Sequence, residues 1–323
     1  MAVDGKHGVG RAAEVLDVYQ QMGCDIIGLQ ETRRSGQSAL LQGGCVVYCS
    51  DESGGDGKGK KGQGGVGLAV RKSIPRVEAR PPEFISDRLL KVTIDLCGRA
   101  RAVTFVVGYA PTDTQSVGKK NAFWTALERV EKDVPEHEQL FVLMDNNART
   151  GRRGGGKLGS EECKVLGAYG RGTLNDNGAR LLSFSANREL ALLNTFFSTA
   201  KNTILHTFNG RGEKCIDYIL TRQRDRKLVR DITVYPQPSF LPVSEHNIVT
   251  AHVKLLGRFA RNRPVREAKG PLPIDRQRLT TDSHLRQEVA TMIGDHLRAF
   301  PPSGSSVDDV ETAFTSAILQ TAE

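Results

Sequence analysis

Helical periodicities and short apolar runs alternate along the first 256 residues of the chain. Apolar residues recur at helical spacing over residues 11–22, 117–134 and 177–189, and this period predicts amphipathic helices. Asn177 is the predicted N-cap of the third helix. Apolar runs bounded by turn-forming residues predict strands at 24–29, 45–49, 66–70, 89–96, 102–109, 140–144, 190–197, 206–208, 215–220, 232–235 and 248–255. This mixture of elements predicts an α/β fold.

Two glycine-rich blocks interrupt this pattern and are predicted to be loops. Residues 51–65 have the sequence DESGGDGKGKKGQGG, and residues 149–159 are similarly rich in Gly and Arg. Such segments lack the apolar side chains that a packed core requires. Each block borders a predicted strand, so its basic residues are placed beside the sheet.

The pattern changes again after Leu256. Residues 257–273 contain four arginines and three prolines without periodic apolar positions, which indicates a domain boundary. We therefore assign 1–256 to one globular domain and 257–323 to a basic linker with a helical tail. The two short helical patterns of the tail are too small to form a domain alone.

Charge and composition narrow the class of protein. The 45 Lys and Arg residues outnumber the 37 Asp and Glu residues, and the net charge of +8 favours an anionic partner such as nucleic acid. No apolar run approaches the ~18 residues of a membrane span, and residues 1–10 lack a signal-peptide core. We expect no membrane association and a nuclear or cytoplasmic, non-secreted protein. Six cysteines without a CxxC pair predict neither disulfides nor a zinc site.

Polar residues stand directly at the ends of several predicted strands. Phosphodiester hydrolysis requires a divalent metal ion, a group that orients water, and donors that stabilise the transition state. Carboxylate, amide, imidazole and phenol side chains can supply these functions. The candidates are Glu31, Tyr109, Asp145, Asn147, Asp217, Glu245 and His246.

Five motifs carry a resemblance to a known family. IIGLQET, VVGYAPTD, DNNA, CIDYIL and SEHNIV occur in the order, and at about the spacing, of the endonuclease/exonuclease/phosphatase (DNase I-like) family. The resemblance covers about residues 11–256. The segment NGARLLSFSANRELALLNTFF is especially similar to the endonuclease domains of non-LTR (LINE-type) retrotransposon polyproteins and craniofacial development protein 2-like sequences. The tail resembles the linker that precedes the reverse transcriptase in such polyproteins, which implies fusion to, or action with, that enzyme.

The resemblance implies a four-layered α/β/β/α sandwich and an endonuclease that hydrolyses DNA phosphodiester bonds with Mg²⁺ (or Mn²⁺). It makes Glu31 a metal ligand and places Glu245 near the metal. The implied catalytic residues are Asp145, Asn147, Tyr109, Asp217 and His246.

Each of these residues has an implied role. Asp145 orients the attacking water, and Asn147 hydrogen-bonds the phosphate or holds Asp145. Tyr109 directs its hydroxyl at the scissile phosphate. His246 contacts the phosphate and is oriented by Asp217, because a carboxylate partner favours the imidazolium form.

The basic residues of the glycine-rich blocks are candidates for contacts with the DNA backbone. These residues are Lys58, Lys60, Lys61, Arg149, Arg152 and Arg153. A solvated loop without a partner is an equally open alternative for each block.

Departures from the family pattern leave a second interpretation open. The family carries Asp where Glu245 stands, and the extra methylene is expected to displace the carboxylate and lower activity. The family's first strand carries an Asn, but no apolar strand precedes the helix at 11–22. We therefore expect a fold that lacks its first strand and exposes a sheet edge.

The alternative to an active endonuclease is an inactive remnant that at most binds nucleic acid or protein. A phosphomonoesterase or sphingomyelinase is a third alternative, disfavoured by the segment at 177–190.

Overall fold

The computed structural model describes residues 8–34, 37–42, 44–50, 64–96, 102–153, 160–197, 206–209, 214–236 and 244–254. These residues belong to the first of two units into which the chain divides, Met1–Arg258 and Phe259–Glu323. The predicted boundary after Leu256 and the helical tail lie outside the described residues and stay predictions. Within the described ranges, no helix is long and apolar enough to cross a membrane.

Four α-helices and thirteen strands make up the described fold. The helices are α1 (Gly8–Gln21), α2 (Val117–Lys132), α3 (Ser160–Val165) and α4 (Asp176–Asn187). The strands are β1 (Ile26–Gln30), β2 (Ser38–Gln42), β3 (Cys45–Cys49), β4 (Val66–Arg71), β5 (Arg76–Glu78), β6 (Glu83–Ser86), β7 (Leu89–Leu96), β8 (Val103–Tyr109), β9 (Gln139–Asp145), β10 (Leu190–Leu192), β11 (Asp217–Arg222), β12 (Val229–Tyr235) and β13 (Ile248–Val253). Two 3-10 helices lie at Leu193–Thr195 and Gln223–Leu228.

The central sheet has the strand order β10-β11-β9-β8-β7-β5, and β6 also pairs with β7. β8 and β9 run parallel to each other, whereas all other neighbouring strands of the central sheet run antiparallel. A parallel pair requires a long crossover, and the 16-residue helix α2 supplies it. The apolar runs of β7, β8 and β9 are buried because both faces of this sheet are covered.

The outer layer consists of a four-stranded antiparallel sheet and a separate pair of strands. The four-stranded sheet has the order β1-β4-β3-β2, and β12 pairs with β13. In β1, Gly28 faces β9 so closely that an added Cβ would lie 2.8 Å from Leu143 Cβ. The absence of a side chain at Gly28 therefore lets the outer sheet approach the central one.

Three apolar cores separate four layers. α1 packs Val15, Leu16 and Tyr19 against the outer sheet. A second core fills the space between the outer layer and the central sheet, and a third lies between the central sheet and α2 and α4. This arrangement confirms the α/β/β/α sandwich. No strand precedes α1 among the described residues, and β1 is an edge strand there.

Local predictions were wrong at three places. Asn175, rather than Asn177, caps α4, because its side chain accepts from Gly178 N–H at 2.8 Å. The strand predicted at 190–197 ends at Leu192 and continues as a 3-10 helix. The predicted strand at 206–208 is reduced to isolated bridges at Phe208. In each case hydrogen bonds or packing outside the local apolar pattern determine the conformation.

Candidate active site

The pairing of three strands brings three predicted site residues side by side. Tyr109 is the last residue of β8, and Asp145 is the last residue of its parallel neighbour β9, directly opposite in register. Asp217 begins β11 and lies opposite Asp145 on the other side. Side chains at the same register of adjacent strands point to the same face. Tyr109, Asp145 and Asp217 therefore form a row at one end of the central sheet.

His246 reaches this row from the outer layer, two residues before β13. Its Nδ1 lies 3.0 Å from each carboxylate oxygen of Asp217. Its Nε2 lies 3.9 Å from Asp145 Oδ2. Asp217 therefore orients the imidazole ring, and Nε2 faces the buried carboxylate.

The acidic groups and the imidazole shift one another's proton affinity. Burial raises the pKa of Asp145, and the neighbouring Asp217 carboxylate raises it further, so that it is well above the ordinary value. Burial lowers the pKa of His246, but the charge and hydrogen bond of Asp217 outweigh this, and the net pKa of His246 is raised. The cluster thus favours imidazolium at His246 and a proton or a cation near Asp145.

The segment 206–209 packs against the cluster and supports it. The Thr207 hydroxyl accepts from the N–H groups of Ile216 and Asp217, at 3.0 and 3.1 Å. Phe208 packs edge-on against His246, with ring centroids 5.0 Å apart. This segment holds the two members of the Asp217–His246 pair in position. The sequence carries no local signal for the role of Thr207, because the groups it binds are distant along the chain.

Glu31 follows β1 in a left-handed conformation, with φ of 53°. Its carboxylate accepts from the Tyr109 hydroxyl at 2.7 Å and from Arg33 at 2.9 Å. Burial raises the pKa of Glu31, but these two partners outweigh it, and the net pKa lies below its ordinary value. Burial and the Glu31 carboxylate raise the pKa of Tyr109, so the phenol stays protonated. Glu31 is thus a charged carboxylate linked to the row through Tyr109.

Arg88 is a second residue that the sequence pattern did not single out. Its guanidinium lies 4.6 Å from the centroid of the Tyr109 ring, and it donates to the Tyr109 carbonyl at 3.2 Å. A cation over a phenol ring is attracted by the ring electrons. Arg88, in the turn before β7, therefore fixes the ring of Tyr109. No motif spans the distance between these two residues along the sequence.

Asn147 holds the corner after β9 in a left-handed conformation, with φ of 47°. Its backbone N–H donates to Asp145 Oδ1 at 3.0 Å, and its side-chain amide donates to the Ala110 carbonyl at 3.0 Å. Asn175 and Asn177 in turn donate to its carbonyl. Asn147 thus contacts Asp145 through its backbone, and both roles predicted for its side chain stay predictions.

The remaining predicted residues lie outside the cluster or outside the described ranges. Glu245 is exposed, and its predicted proximity to a metal stays a prediction. Arg149 is half-buried, whereas Arg152 and Arg153 are exposed just after the β9 corner. Lys58, Lys60 and Lys61 fall outside the described residues.

One group of side chains in the described part of the chain could hold a metal ion. Asp145, Asp217 and His246 each offer a ligand atom, and these atoms lie within 4.8 Å of one another. Two adjacent carboxylates, one of them fully buried, repel each other unless a proton or cation lies between them. Glu31 and Glu245 do not belong to this group of three.

The chain belongs to the Endonuclease/Exonuclease/phosphatase family, because the family model matches residues 3–246. Craniofacial development protein 2 from Bos taurus is 28% identical over 251 residues, which is 76% of this chain and 39% of that protein. The chain thus spans about two fifths of the length of this relative.

Two solved structures share the fold. The endonuclease domain of TRAS1, a telomere-specific non-LTR retrotransposon, has a TM-score of 0.51 at 17% identity, covering 79% of this chain and 96% of that chain. A 3′ phosphatase from Neisseria, bound to a product DNA hairpin, has a TM-score of 0.51 at 18% identity, covering 75% of this chain and 94% of that chain. Family and fold together define a protein of the nuclease and phosphatase class.

Proposed function

We propose that this chain is a Mg²⁺-dependent (or Mn²⁺-dependent) endonuclease of the non-LTR retrotransposon type that hydrolyses DNA phosphodiester bonds. The observation that carries the proposal is the row of Tyr109, Asp145 and Asp217, completed by His246 through two 3.0 Å contacts to Asp217. Asp145 supplies a carboxylate that can orient water. Tyr109 and His246 supply a phenol and an imidazolium that can donate hydrogen bonds to phosphate oxygens. The family and the DNA-bound relative of the same fold support DNA as the substrate.

The donor set suits a hard divalent cation. Asp145 and Asp217 present carboxylate oxygens, and burial together with the Asp217 charge raises the pKa of Asp145, so a cation between the two carboxylates would offset their repulsion. Glu31, charged and linked to Tyr109, is the proposed further ligand. A bound divalent cation supplies electrostatic stabilisation of the charge that develops on the phosphate.

The side chains of the chain itself then divide the remaining work. Asp145, at the end of β9, orients the attacking water and can accept its proton. Imidazolium at His246 donates from Nε2 to a phosphate oxygen, while Asp217 holds Nδ1. The Tyr109 hydroxyl, which donates to Glu31 at 2.7 Å, would donate to a second phosphate oxygen once Glu31 ligates the cation, and its raised pKa keeps the phenol protonated.

The basic residues after β9 are the proposed contacts to the DNA backbone. Arg152 and Arg153 are exposed within eight residues of Asp145 and can neutralise phosphates there. Lys58, Lys60, Lys61 and Arg149 are proposed to act in the same way. Action with a reverse transcriptase, which follows from the resemblance of the tail, and a nuclear or cytoplasmic location are further proposals.

The test is nicking of supercoiled plasmid by the purified chain in Mg²⁺ and in EDTA. We expect nicking in Mg²⁺ that is abolished by EDTA, by Asp145→Ala and by Glu31→Ala. Glu128→Ala on the exposed face of α2 is the matched control and should retain full activity. Nicking that survives both site substitutions would contradict the proposal.

The experiment also decides between the proposal and the inactive remnant. A folded wild-type chain that binds plasmid but shows no metal-dependent nicking favours the remnant. A chain that releases phosphate from a 3′-phosphorylated oligonucleotide without nicking plasmid favours a phosphatase.

A further inference from the structure

The α4 turn, residues 175–178 with the sequence NDNG, packs against the corner that follows Asp145 at the end of β9. The side chain of Asn175 accepts from the backbone N–H of Arg149 at 2.7 Å, and the N–H of Asn175 donates to the Arg149 carbonyl at 3.1 Å. A Cβ added at Gly178 would clash with the same carbonyl oxygen. A glycine at this position therefore lets the start of α4 come into backbone contact with the corner.

Asn147 is the residue through which the α4 turn reaches Asp145. Its left-handed φ of 47° is a conformation that a residue other than glycine keeps only where the surrounding contacts determine it. The Asn147 carbonyl accepts from Asn175 Nδ2 at 3.2 Å and from Asn177 Nδ2 at 3.4 Å. The Asn147 N–H donates to Asp145 Oδ1 at 3.0 Å. The group that orients Asp145 and the group that the α4 turn binds thus belong to one residue.

Asn177 also binds the chain that follows β8. Its side-chain amide donates to the Pro111 carbonyl at 2.7 Å, and Pro111 comes two residues after Tyr109. An amide group has two N–H donors, so it can bind Pro111 and Asn147 together. Asn177 is fully buried, and water does not compete for these bonds. One side chain therefore connects the segments that follow Tyr109 and Asp145.

Lys120 of α2 fixes the α4 turn from another side. Its Nζ lies 2.7 Å from Asp176 Oδ2 and donates to the Asp113 carbonyl at 3.1 Å. Lys120 is buried, and a buried ammonium group needs such partners. These contacts hold the α4 turn and the loop after β8 against the same helix.

We propose that Asn175 and Asn177 are positioning residues of the site, which hold Asn147 in its left-handed conformation and thereby aim the Asp145 carboxylate. Both act through Asn147, because the bond to the carboxylate comes from the Asn147 N–H. The effect on catalysis rests on the proposed function, whereas the effect on the corner itself does not. A displacement of about 1 Å at a reacting group can lower a rate about 10²-fold.

The test uses a variant that separates this role from helix capping. Asn175→Ser keeps an oxygen that can accept from the Gly178 N–H, because Ser caps a helix about as well as Asn, but it lacks the amide that donates to Asn147. A double variant adds Asn177→Ala, which removes the other donor. Asn187→Ala is the matched control, since Asn187 is the exposed last residue of α4.

The first measurement is amide hydrogen exchange of the full chain in EDTA and without DNA. We expect the Asn147 amide to exchange about tenfold or more faster in Asn175→Ser, and faster still in the double variant. The Gly178 amide and the amides of β8, which is paired on both sides, should keep their rates in Asn175→Ser. The urea midpoint of Asn175→Ser should stay close to that of the unchanged chain. Asn187→Ala should change none of these values.

The second measurement is plasmid nicking in Mg²⁺ over a range of DNA concentrations. We expect kcat to fall about ten- to a hundredfold in Asn175→Ser, while KM changes less than about twofold, because the placement of Asp145 changes and the DNA-binding surface does not. A loss of folded protein would instead lower the urea midpoint, which this variant should keep.

Three results would overturn the proposal. One is unchanged exchange at Asn147 in the double variant. Another is equal acceleration at Asn147, Gly178 and the β8 amides in Asn175→Ser, because the asparagine would then stabilise the fold as a whole. The third is faster exchange at Asn147 with an unchanged kcat. If the unchanged chain does not nick DNA, the proposed function fails, and exchange at Asn147 in EDTA still decides whether the α4 turn holds the corner.

Discussion

The two sheet layers of the sandwich differ in how completely their strands are paired and buried. In the central sheet, β7, β8 and β9 have neighbours on both sides and are buried along nearly their whole length. In the outer layer, β1 and β13 are paired on one side, and no residue of β13 is fully buried. The candidate site draws Tyr109, Asp145 and Asp217 from the first and Glu31 and His246 from the second.

This difference indicates a division of roles within the site. Groups on fully packed strands keep their positions without a ligand, whereas groups beside an open edge depend on their local partners. Arg33 holds Glu31, and Asp217 holds His246. The central sheet therefore defines where the chemistry takes place, and the outer layer completes the site.

The largest expected effect is on nicking activity, and it should differ between a site residue of the central sheet and one of the outer layer. Asp145→Asn should lower metal-dependent nicking by about 10²–10⁴-fold, since it removes the group that orients water. Glu31→Gln should give a smaller loss that excess Mg²⁺ partly restores. Initial rates over a Mg²⁺ titration measure both. Equal losses that no Mg²⁺ concentration relieves would contradict the division of roles.

The layers should also differ in how much their apolar side chains stabilise the fold. Leu140→Ala in β9 should lower the free energy of unfolding by about 2–5 kcal/mol, because Leu140 is fully buried and a cavity remains. Ile248→Ala in β13 should cost less than about 2 kcal/mol, because Ile248 is half-buried and solvent can fill the space. Urea unfolding measures both. Equal costs would show that the outer edge is packed as tightly as the centre.

Thr207 joins the layers and gives a third comparison. Thr207→Val should cost about 1–3 kcal/mol, because the buried N–H groups of Ile216 and Asp217 lose their acceptor. Thr207→Ser keeps the hydroxyl and is the control, with most of the stability and activity retained. If both variants behave alike in urea unfolding, packing of the side chain, rather than its hydrogen bonds, supports the site.

The pH dependence of stability tests the electrostatics of the cluster. The metal-free chain should become less stable to urea as the pH rises from 5.5 to 8.5. The pKa of Asp145 is raised above 3.8, so the folded state binds a proton that the unfolded state releases at lower pH. The pKa of His246 is raised above 6.5, and its stabilisation is likewise lost as the pH rises through the raised value. Asp145→Asn should flatten the curve, and an unchanged curve would refute the assigned cause.

The smallest effect is expected at the exposed arginines after β9. The double substitution Arg152→Ala and Arg153→Ala should reduce the slope of the logarithm of the duplex-DNA binding constant against the logarithm of the salt concentration by up to about 1.8. The melting temperature of the protein should not change. Arg129→Ala with Lys132→Ala on α2 removes the same charge and is the control. If the control changes the salt slope equally, net charge rather than position determines binding.

The apolar runs predicted β8, β9 and most of β11 because the central sheet buries both faces. The same pattern missed β2, β5 and β6, whose bounds depend on hydrogen bonds to β3 and β7. Asn175 was missed as a cap for a similar reason. A short apolar pattern does not distinguish Asn175 from Asn177, whereas the backbone that each amide reaches does.

The sequence by itself determined the family, the helices α1, α2 and α4, the long buried strands and which polar residues stand at strand ends, because these features follow from local residue patterns. Only the tertiary structure decided that Asp145, Asp217 and His246 form one cluster to which Glu31 is linked through Tyr109, since strands far apart in sequence set these distances. The contacts of Arg88 and Thr207 with the site also arise from the packing of distant segments.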